Sequence, residues 1–513
     1  PDEQILENAK LSVNMYMLGS MESKSTIGRM LAEGQLYSND PLHVKKEIAW
    51  INEAIADELR DAANRWLNRG YFEITVLPFP EYLSGEDAVD RSAVPSVTDV
   101  SGVEFPDIQM ATLENGIELV VASSGDLPLI DVAIRIGTGN MADSPDAPGI
   151  SDAVFALMDK GTDKYDANEL AAAKDKIGME ARLSANVENS SFSYRILTAY
   201  LQDSLDITAE ILQKPTLPED ELVKFQQQVV SYLSNIQRNP TQNATSLFRR
   251  ALYGADHPLG GVWTQDLVQN LNRERIVEFH IREIAPDNIT IFMIGDVDLD
   301  TAVSAVEAAF GEWGAVHRSQ RQAIGKASGS APRVILIDNP DAPQSTIRVG
   351  HAIGPYDAEG NAELNVVNGV FGADFEARIN MNLRENKSWS YGMGSGILSN
   401  TSGDQALAVF GSVQTDKTME SMQEVMREYE EYVSTRPATP SELERVKLNR
   451  IRSLPGRFAT KRGFLTSMIS SDSFGLPFDY AETTAARVGA VMLDGVNRRA
   501  RQVVRPDELT WVI

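Results

Sequence analysis

The residue types that most often do chemistry are few in this chain, and those present are scattered. There is no cysteine among the 513 residues, which excludes disulfides, thiolate metal sites and cysteine nucleophiles. The histidines are too far apart in sequence to form the closely spaced pair of a helical metal site. For each of them we expect a surface position or a hydrogen-bonded structural role. They are His43, His257, His280, His317 and His351.

Arg384 and Tyr391 form the best candidate pair. A guanidinium and a phenol are hydrogen-bond donors suited to an oxyanion or to a peptide carbonyl. Before them, Ile379 and Leu383 stand one helical turn apart, which predicts a short helix with a buried face. Residues 390–396 contain too much glycine for a helix and predict a loop or an opened strand. The pair alone is no evidence of function, and the alternative is a surface arginine and a core tyrosine.

The composition limits the classes of function. A formal net charge of -26 argues against nucleic acid, because phosphate binding needs clustered Lys and Arg. That charge would suit a basic or polar peptide, although a solvated acidic surface explains it more simply. No run is long and apolar enough to span a bilayer. The acidic run Glu424–Glu431 has helical spacing and predicts a solvated helix face.

The elements that must position these residues repeat along the chain. Three helical patterns, each marked by a leucine, run on to a β-rich stretch after 70, 69 and 69 residues, and chance explains three such matches poorly. Thr439, Pro440 and Glu442 give the third pattern the form of a capped helix start. The leucines and their stretches are Leu6 with Phe72–Leu77, Leu222 with Asn288–Ile294, and Leu443 with Leu509–Ile513.

A second kind of half-module occurs twice and is rich in strands. Asn115-Gly116 between β-prone runs predicts a hairpin with a type I′ turn. An alternating strand follows over residues 126–139, and residues 342–354 repeat it. This mixture predicts an α+β fold of repeated modules, each an antiparallel sheet packed with helices. The predicted parts are a C-terminal half-module (1–77), a linker (78–107), a module (108–313), a linker (314–331) and a last module (332–513).

Over nearly its whole length this pattern resembles the M16 metallopeptidase family (pitrilysin/insulinase-like). The family frame Gly-x-x-His-x-x-Glu-His-x-x-x-x-Gly-Thr matches residues 149–162 at its glycines and threonine. In that family the two histidines, one helical turn apart, clamp Zn²⁺ and the glutamate is the general base. Here Asp152, Phe155 and Ala156 stand at those three positions. The family's third ligand, a glutamate on the next long helix, is also missing, since residues 222–255 contain no Asp or Glu.

The last module is similar to the family's second signature, an element of the form Gly-x-Phe, Arg-Leu, Leu-Arg-Glu and Ser-Tyr. In M16 enzymes the last Arg and the Tyr of this element reach across the chamber to the zinc site of the other half. There they contact the substrate backbone and help to stabilise the tetrahedral intermediate. The resemblance therefore implies catalytic roles for Arg384 and Tyr391, and substrate contacts for Phe371 and Gly372. One departure is Ala377, where the family often has Ser.

The resemblance implies a zinc-free, substrate-binding half of an M16-type zinc metalloendopeptidase, inactive on its own and without a cofactor. In the family, two halves close like a clamshell around an unfolded peptide. The expected partners are thus a peptide and a zinc-bearing half, in the same product or in a separate subunit. Because the chain starts at Pro1 within a helical pattern and opens with half a module, we expect the zinc-bearing module upstream.

The alternative is a structural or binding M16 relative with no role in proteolysis, such as the core subunits of respiratory complexes. Such a protein would have no reason to keep the Arg384/Tyr391 element. The residues leave the compartment open, and export in a bacterium, to the periplasm, is an expectation taken from bacterial relatives alone.

Overall fold

The computed structural model describes residues 3–68, 70, 102–125, 127–144, 146–261, 263–314, 325–328, 332–340 and 342–513. The chain folds into two compact units, one of residues 1–104 with 176–178 and one of residues 105–175 with 179–513. The β-rich stretch predicted at Phe72–Leu77 and most of both predicted linkers, 78–107 and 314–331, lie outside the described residues. The predicted boundaries remain predictions.

The described residues 3–68 of the first unit form helices. The amphipathic pattern at the start of the chain forms a helix that buries Leu6 and Met15. The next helix begins at Ser23, whose hydroxyl accepts from the amide of Thr26 (3.4 Å), and ends at Asn39 in the left-handed region. The helices are α1 (Glu3–Ser20), α2 (Lys24–Ser38), α3 (His43–Glu53) and α4 (Ala56–Leu67).

The second unit contains two sheets, and the first has the strand order β1-β2-β6-β3-β5-β4. Its strands are β1 (Ile108–Thr112), β2 (Glu118–Ser123), β3 (Leu129–Ile136), β4 (Arg182–Ala185), β5 (Ser190–Leu197) and β6 (Ile289–Gly295). The helices of this part are α5 (Ile150–Leu157), α6 (Ala167–Lys176), α7 (Leu201–Gln213), α8 (Glu219–Arg238), α9 (Pro240–Tyr253), α10 (Gln265–Gln269), α11 (Arg273–Glu283) and α12 (Leu299–Phe310).

The second sheet has the strand order β7-β11-β8-β10-β9. Its strands are β7 (Arg333–Ile335), β8 (Gln344–Pro355), β9 (Ser390–Leu398), β10 (Asp404–Gln414) and β11 (Thr510–Val512). The helices of this part are α13 (Asn361–Asn368), α14 (Arg378–Asn380), α15 (Thr418–Val433), α16 (Pro440–Arg457), α17 (Lys461–Ser473), α18 (Thr484–Gly489) and α19 (Leu493–Val503). None of the helices in the described part of the chain is long and apolar enough to cross a membrane.

The two sheets follow one plan, as the repeated sequence pattern predicts. In the first sheet, β6 follows the long helices and lies between β2 and β3. In the second sheet, β11 follows the long helices and lies between β7 and β8. The predicted α+β fold with helix-packed sheets is confirmed, with one correction. Each sheet is mixed, because β6 pairs with β2 in parallel and β11 pairs with β7 in parallel, while the other pairs are antiparallel. A strand that returns after a helical crossover can run in either direction, which the sequence spacing does not specify.

The hairpin at Asn115-Gly116 is present, but its turn differs from the predicted type I′. The amide of Leu113 bonds Ile117 O (2.9 Å) and the amide of Gly116 bonds Leu113 O (3.0 Å). Only Gly116 has a positive φ, of 94°, whereas a type I′ turn needs two such residues. The connection is therefore a three-residue loop that ends on a left-handed glycine.

The two parts of the second unit exchange helices. On α9, Phe248 and Leu252 pack against Ala406 and Val512 of the second sheet. On α17, Leu465 and Met468 pack against strands of the first sheet, among them Val120, Phe292 and Ile294. Each sheet is thus covered in part by a helix from the other half of the sequence.

Helix α15 corrects the prediction of a solvated acidic face. Glu428, Tyr429 and Tyr432 are buried on it, with Glu428 only 2% exposed. Asn382 donates hydrogen bonds to Glu424 and Glu428 (2.9 Å each), and Arg436 forms an ion pair with Glu428. Two carboxylates of this run therefore face protein partners, which the helical spacing alone could not reveal.

Candidate functional site

The frame of residues 149–162 forms the helix α5 that the motif predicts. Gly149 begins it in the left-handed region (φ 84°), and a Cβ there would lie 2.6 Å from the Trp263 ring, so both conformation and space favour glycine. Asp152 and Ala156 are half-buried, whereas Phe155 is 2% exposed within the core. A phenyl ring has thus replaced a polar group at a position that faces the interior.

Asp152 is already engaged by its neighbours. Asn140 donates from Nδ2 to Asp152 Oδ2 (2.6 Å) and to Ser151 Oγ (2.8 Å). Beside them, Asp143 accepts from the backbone amides of Gly149 (2.6 Å) and Ser151 (3.1 Å) and so caps α5. Burial raises the pKa of Asp143 to about 7 and the pKa of Asp152 to about 6.

This side-chain set does not fit a zinc ion. Zinc takes histidine, cysteinate or carboxylate ligands, usually three or four of them, and here Asp152 is the one such group among the three motif positions. Helix α8 and α9 supply no carboxylate between residues 222 and 255. In the described part of the chain, no group of three or more His, Cys, Asp and Glu could hold a metal ion.

Two buried histidines have the structural role expected of them. His257 bonds Gly325 O through Nε2 (3.0 Å) and accepts from the amide of Leu259 (3.1 Å). His280 bonds Leu212 O (2.8 Å), and burial lowers its pKa.

His351 is also buried, and the amide of Arg505 donates to its Nε2 (3.2 Å). His43 lies on α3 with its ring against Trp50 (5.4 Å between centroids). His317 lies outside the described residues.

The Arg384/Tyr391 segment has an irregular helical backbone. Two π-helical stretches, Gly369–Ala373 and Met381–Asn386, flank the single turn α14. Such stretches are rare and frequently lie at functional sites. Ile379 and Leu383 are buried, which confirms the predicted inward face. Residues 390–396, for which a loop or an opened strand was expected, form part of strand β9.

Tyr391 and Arg384 lie at the open end of this segment. Tyr391 is 91% exposed at the beginning of β9. Arg384 is partly exposed, lies 4.6 Å from the ring centroid of Phe375 and approaches Glu385 at 3.5 Å. Asn380 braces the backbone on either side of them, because it donates to Phe375 O (2.7 Å) and accepts from the amide of Met393 (3.2 Å). The segment thus carries two hydrogen-bond donors that are accessible to solvent.

Phe371 and Gly372 lie in the interior. The Phe371 ring is fully buried against Tyr429 and Tyr432, at centroid distances of 4.7 and 5.6 Å. A Cβ on Gly372 would lie 2.5 Å from Ser395 Oγ, so the glycine lets this turn approach β9. In this structure the Phe371 side chain packs in the core and offers no surface to a ligand, and the substrate contacts of both residues remain predictions.

Two family models match the chain, one over the α5 frame and one over the Arg384/Tyr391 segment. Residues 120–260 match the family described as insulinase (peptidase family M16), and residues 270–450 match the peptidase M16 inactive domain. The chain belongs to the M16 family. The replaced zinc motif on α5 lies in the part that matches the insulinase model, and the Arg384/Tyr391 segment lies in the part that matches the inactive domain.

Curated M16-like relatives are distant in sequence. An uncharacterized zinc protease, YmxG, of Bacillus subtilis (strain 168) is 23% identical over 406 residues, which cover 78% of this chain and 96% of that protein. An uncharacterized zinc protease of Mycobacterium tuberculosis (strain ATCC 25618 / H37Rv) is 24% identical over 291 residues, which cover 56% of this chain and 66% of that protein.

Solved M16 structures share the fold. The peptidase M16 inactive domain from Pseudomonas fluorescens superposes with a TM-score of 0.72 at 20% identity, over 79% of this chain and 97% of that one. The periplasmic protease PqqL from Escherichia coli superposes with a TM-score of 0.65 at 16% identity, over 80% of this chain and 48% of that one. This chain therefore matches about half the length of that protease.

One buried arginine of the M16 element was not singled out from sequence. Arg378 makes a two-point ion pair with Glu442 (2.7 and 2.8 Å), donates to Pro437 O (3.0 Å) and lies 4.8 Å from the Tyr432 ring centroid. It joins α14 to the start of α16 and so positions the segment that bears Arg384. Its position in the Arg-Leu part of the motif is the sequence feature that could have identified it.

Proposed function

We propose that this chain is the zinc-free half of a two-part M16 zinc peptidase and that it supplies Arg384 and Tyr391 to a zinc-bearing partner half. The observation that carries the proposal is the 91% exposure of Tyr391 in a segment whose backbone Asn380 braces, with Phe375 of the same segment 61% exposed. Aromatic side chains that stand free on a protein surface are typical of sites that a partner or ligand covers. The zinc-motif positions on α5 do not fit a zinc ion, so Arg384 and Tyr391 would need the zinc site of a partner half.

The two donors have distinct tasks in this proposal. Zinc in the partner half would polarise the carbonyl of the bound peptide. The Tyr391 hydroxyl donates a hydrogen bond to the oxygen on which negative charge develops, where a preorganised donor is most effective. Arg384 holds a backbone carbonyl of the peptide, which aligns the substrate before reaction. The substrate contacts expected of Phe371 and Gly372 remain predictions, and in the structure the Phe371 ring packs in the core against Tyr429 and Tyr432.

The two-part arrangement has support from the PqqL structures. Besides matching about half of that protease, the chain matches its separately solved first half, over 80% of this chain and 92% of that one, with a TM-score of 0.66. A chain of this fold can therefore correspond to one half of a larger peptidase. A zinc-bearing half, in the same product or in a separate subunit, is the partner that would complete the proposed site.

Kinetics of the assembled enzyme test the proposal. The tagged chain is purified from its native host together with the accompanying zinc-bearing M16 polypeptide, and peptide hydrolysis is measured. Tyr391→Phe keeps the ring and removes one donor, so kcat should fall roughly a hundredfold, about 3 kcal/mol of transition-state stabilisation. Arg384→Ala should lower kcat and also raise KM, because it removes a ground-state contact.

A matched control is Tyr232→Phe, which removes a hydroxyl from another exposed tyrosine, on α8. It should leave kcat, KM and the melting temperature unchanged. Wild-type kcat/KM in both Tyr391→Phe and Arg384→Ala would refute the assignment.

The zinc content of the chain gives a second, independent test. After purification and dialysis the chain alone should hold well below one equivalent of zinc and should cleave no peptide, because the motif positions lack the ligands. Elemental analysis and a chelator-sensitive peptide assay measure these two properties. One tightly held equivalent of zinc, or cleavage by the chain alone, would contradict the proposal.

The second candidate is a structural or binding M16 relative, which the replacement of the zinc motif also permits. It predicts a complex without a zinc-bearing M16 polypeptide, and no peptide hydrolysis in which Tyr391 takes part. The same purification distinguishes the two functions.

A further inference from the structure

A cavity of about 360 Å³ lies among α13, α16, α17, α18 and the end of β9. Neither Arg384 nor Tyr391 lines the cavity, and the cavity takes no part in the proposed peptidase function. The cavity belongs wholly to the second unit.

Helical spacing brings several hydrogen-bond donors, arginines and serines, to this cavity. Arg450 and Arg457 are two turns apart on α16, and the lining residues of α17 and α18 also recur at intervals of three or four. The faces that meet are therefore basic on α16 and rich in hydroxyls on α17. The polar residues on which the argument rests are Arg450, Arg457, Ser467, Ser470, Ser471 and Arg487.

The charge of the cavity is opposite to that of the chain. Three arginines and no Asp or Glu are among its described lining residues, in a protein whose formal net charge is -26. Within the described residues, Arg450, Arg457 and Arg487 form no ion pair with a carboxylate, although the charge of Asp374 also acts on Arg450. Three like charges that share one cavity repel each other unless an anion joins them.

Three carboxylates near the cavity are paired with arginines outside it, whereas Asp479 and Glu482, beside the lining residues Tyr480 and Ala481, form no ion pair within the described residues. Asp374 pairs with Arg445 (3.3 Å), Asp357 with Arg499 (3.3 Å) and Asp472 with Arg135 (2.5 Å). Their charges are therefore largely engaged elsewhere, and the cavity keeps a positive excess.

Arg450 brings a buried polar atom without a partner to this cavity. Its Nη2 donates to Asn365 O (2.9 Å), but its buried Nε has no hydrogen-bond partner among the described residues. Burial lowers the pKa of Arg450, because a guanidinium loses hydration there. Buried polar atoms without partners are uncommon in proteins, and each calls for an explanation such as an absent ion.

One wall of the cavity is aromatic. Tyr356 and Phe474 pack with their ring centroids 4.4 Å apart, and the Arg487 guanidinium lies over the Tyr480 ring. The Tyr480 hydroxyl donates to Ala358 O (3.2 Å), which fixes that ring. The cavity can thus receive a charged group at its arginines and an apolar group at this wall.

We propose that this cavity binds a small phosphate-bearing anion. A phosphate group carries nearly two negative charges at neutral pH and three strong acceptor oxygens, which match several guanidinium and hydroxyl donors. A carboxylate has one charge and two oxygens, and would satisfy fewer of these groups. The proposal does not depend on the peptidase role, since it concerns a separate cavity.

Calorimetric titration of the full 513-residue chain tests the proposal. The probes are inorganic phosphate, phenyl phosphate and benzoate, which has the ring but a carboxylate in place of the phosphate. Both phosphates should bind at one site, and benzoate at least roughly tenfold more weakly than phenyl phosphate. Tighter binding of phenyl phosphate than of inorganic phosphate would point to an organic phosphate monoester, and equal binding to the free ion.

Substitutions locate the site. Arg450→Ala and Arg457→Ala should each weaken phenyl phosphate binding roughly tenfold or more, since each removes a charged donor. Arg452→Ala is the control, because Arg452 is an exposed arginine of the same helix that does not line the cavity. Arg457 is exposed, so its removal should leave the fold intact even if Arg450→Ala does not fold.

Three results would overturn the proposal. They are no binding of either phosphate by the folded wild-type chain, benzoate binding as tight as that of phenyl phosphate, and unchanged phosphate binding in Arg457→Ala together with any folded Arg450 variant.

Discussion

Asp143 and Asp152 place two carboxyl groups with raised pKa values beside the first turn of α5. Asp143 accepts two backbone amides of that turn, and Asp152 accepts from Asn140. Both arrangements favour the ionised form, yet burial outweighs them and raises the pKa to about 7 and about 6 respectively. We therefore expect these two carboxyls to make the stability of the chain depend on pH.

The stability of the chain should fall as pH rises from about 4 to about 7. In that window the carboxyls of the unfolded chain, whose ordinary pKa is 3.8, are already ionised while the folded ones still hold protons. The folded state therefore binds more protons, and its relative stability decreases as pH increases. Asp152→Asn removes one of these groups and should reduce the pH-dependent loss by about 1–3 kcal/mol.

Denaturant unfolding at several pH values measures this difference. Other carboxyls also titrate, so the comparison is between variant and wild type at each pH. Asp163→Asn is the control, because Asp163 is exposed and lies just beyond the same helix. A pH profile for Asp152→Asn that parallels the wild type would show that Asp152 has no such role.

At the residue scale, the sequence predicts which residues share a helix better than it predicts which residues meet in the fold. Asp152, Phe155 and Ala156 could be placed on one helix from the spacing of the motif, and α5 bears them. The burial of Phe371 could not be predicted, because it depends on Tyr429 and Tyr432 of a helix far along the chain. Tertiary contacts of this kind have no local signal.

At the scale of elements, the turn before β9 is held by a buried ion pair rather than by helix propensity. Helix α14 is a single turn between two π-helical stretches, so its own hydrogen bonds give little stability. Arg378 binds Glu442 from this turn, and Glu442 also completes the capping box of α16 with Thr439. One carboxylate therefore satisfies both a buried guanidinium and a helix N-terminus.

Glu442→Ala should destabilise the chain by about 3–5 kcal/mol, because it leaves Arg378 buried without its counter-charge. Glu442→Gln keeps an acceptor for the Thr439 amide and should lose less. Thermal and denaturant unfolding measure both values.

Glu444→Ala on the same helix provides the control, since Glu444 is exposed and should change stability by less than about 0.5 kcal/mol. Equal effects of Glu442→Ala and Glu444→Ala would mean that the ion pair contributes nothing. A loss in Glu442→Ala accompanied by slower peptide hydrolysis in the assembled enzyme would link this pair to the position of Arg384.

Elements with strong local signals were predicted well. The Thr439/Glu442 capping box is present as predicted, and the strand at Asn288–Ile294 forms β6. Strand β9 was harder, because its glycines weaken intrinsic strand preference and pairing with β10 decides its conformation. Contacts with neighbouring elements also explain why the prediction of a solvated face for Glu424–Glu431 was wrong.

At the scale of the second unit, the exchange of α9 and α17 joins two similar halves into one folding unit. Each helix covers the sheet of the other half, with Phe248 on the second sheet and Met468 on the first. The repeated spacing of 70, 69 and 69 residues predicts the similarity of the halves. It does not predict the exchange, because helices of equal spacing could pack on either sheet.

This exchange predicts that the two sheets unfold together. Phe248→Ala should destabilise the chain by about 3–5 kcal/mol and Met468→Ala by about 2–5 kcal/mol, because each opens a cavity between a helix and a sheet. Although Phe248 packs against the second sheet, its loss should weaken both sheets, since cooperative unfolding shares the cost over the whole unit. Hydrogen exchange of amides in β3 and β10 measures the two sheets separately.

In both variants the protection of β3 and β10 should fall by the same free energy, and Phe375→Ala, at an exposed phenylalanine, should change neither. If Phe248→Ala lowers protection in β10 while β3 keeps its wild-type value, the halves unfold independently and the exchanged helices do not couple them.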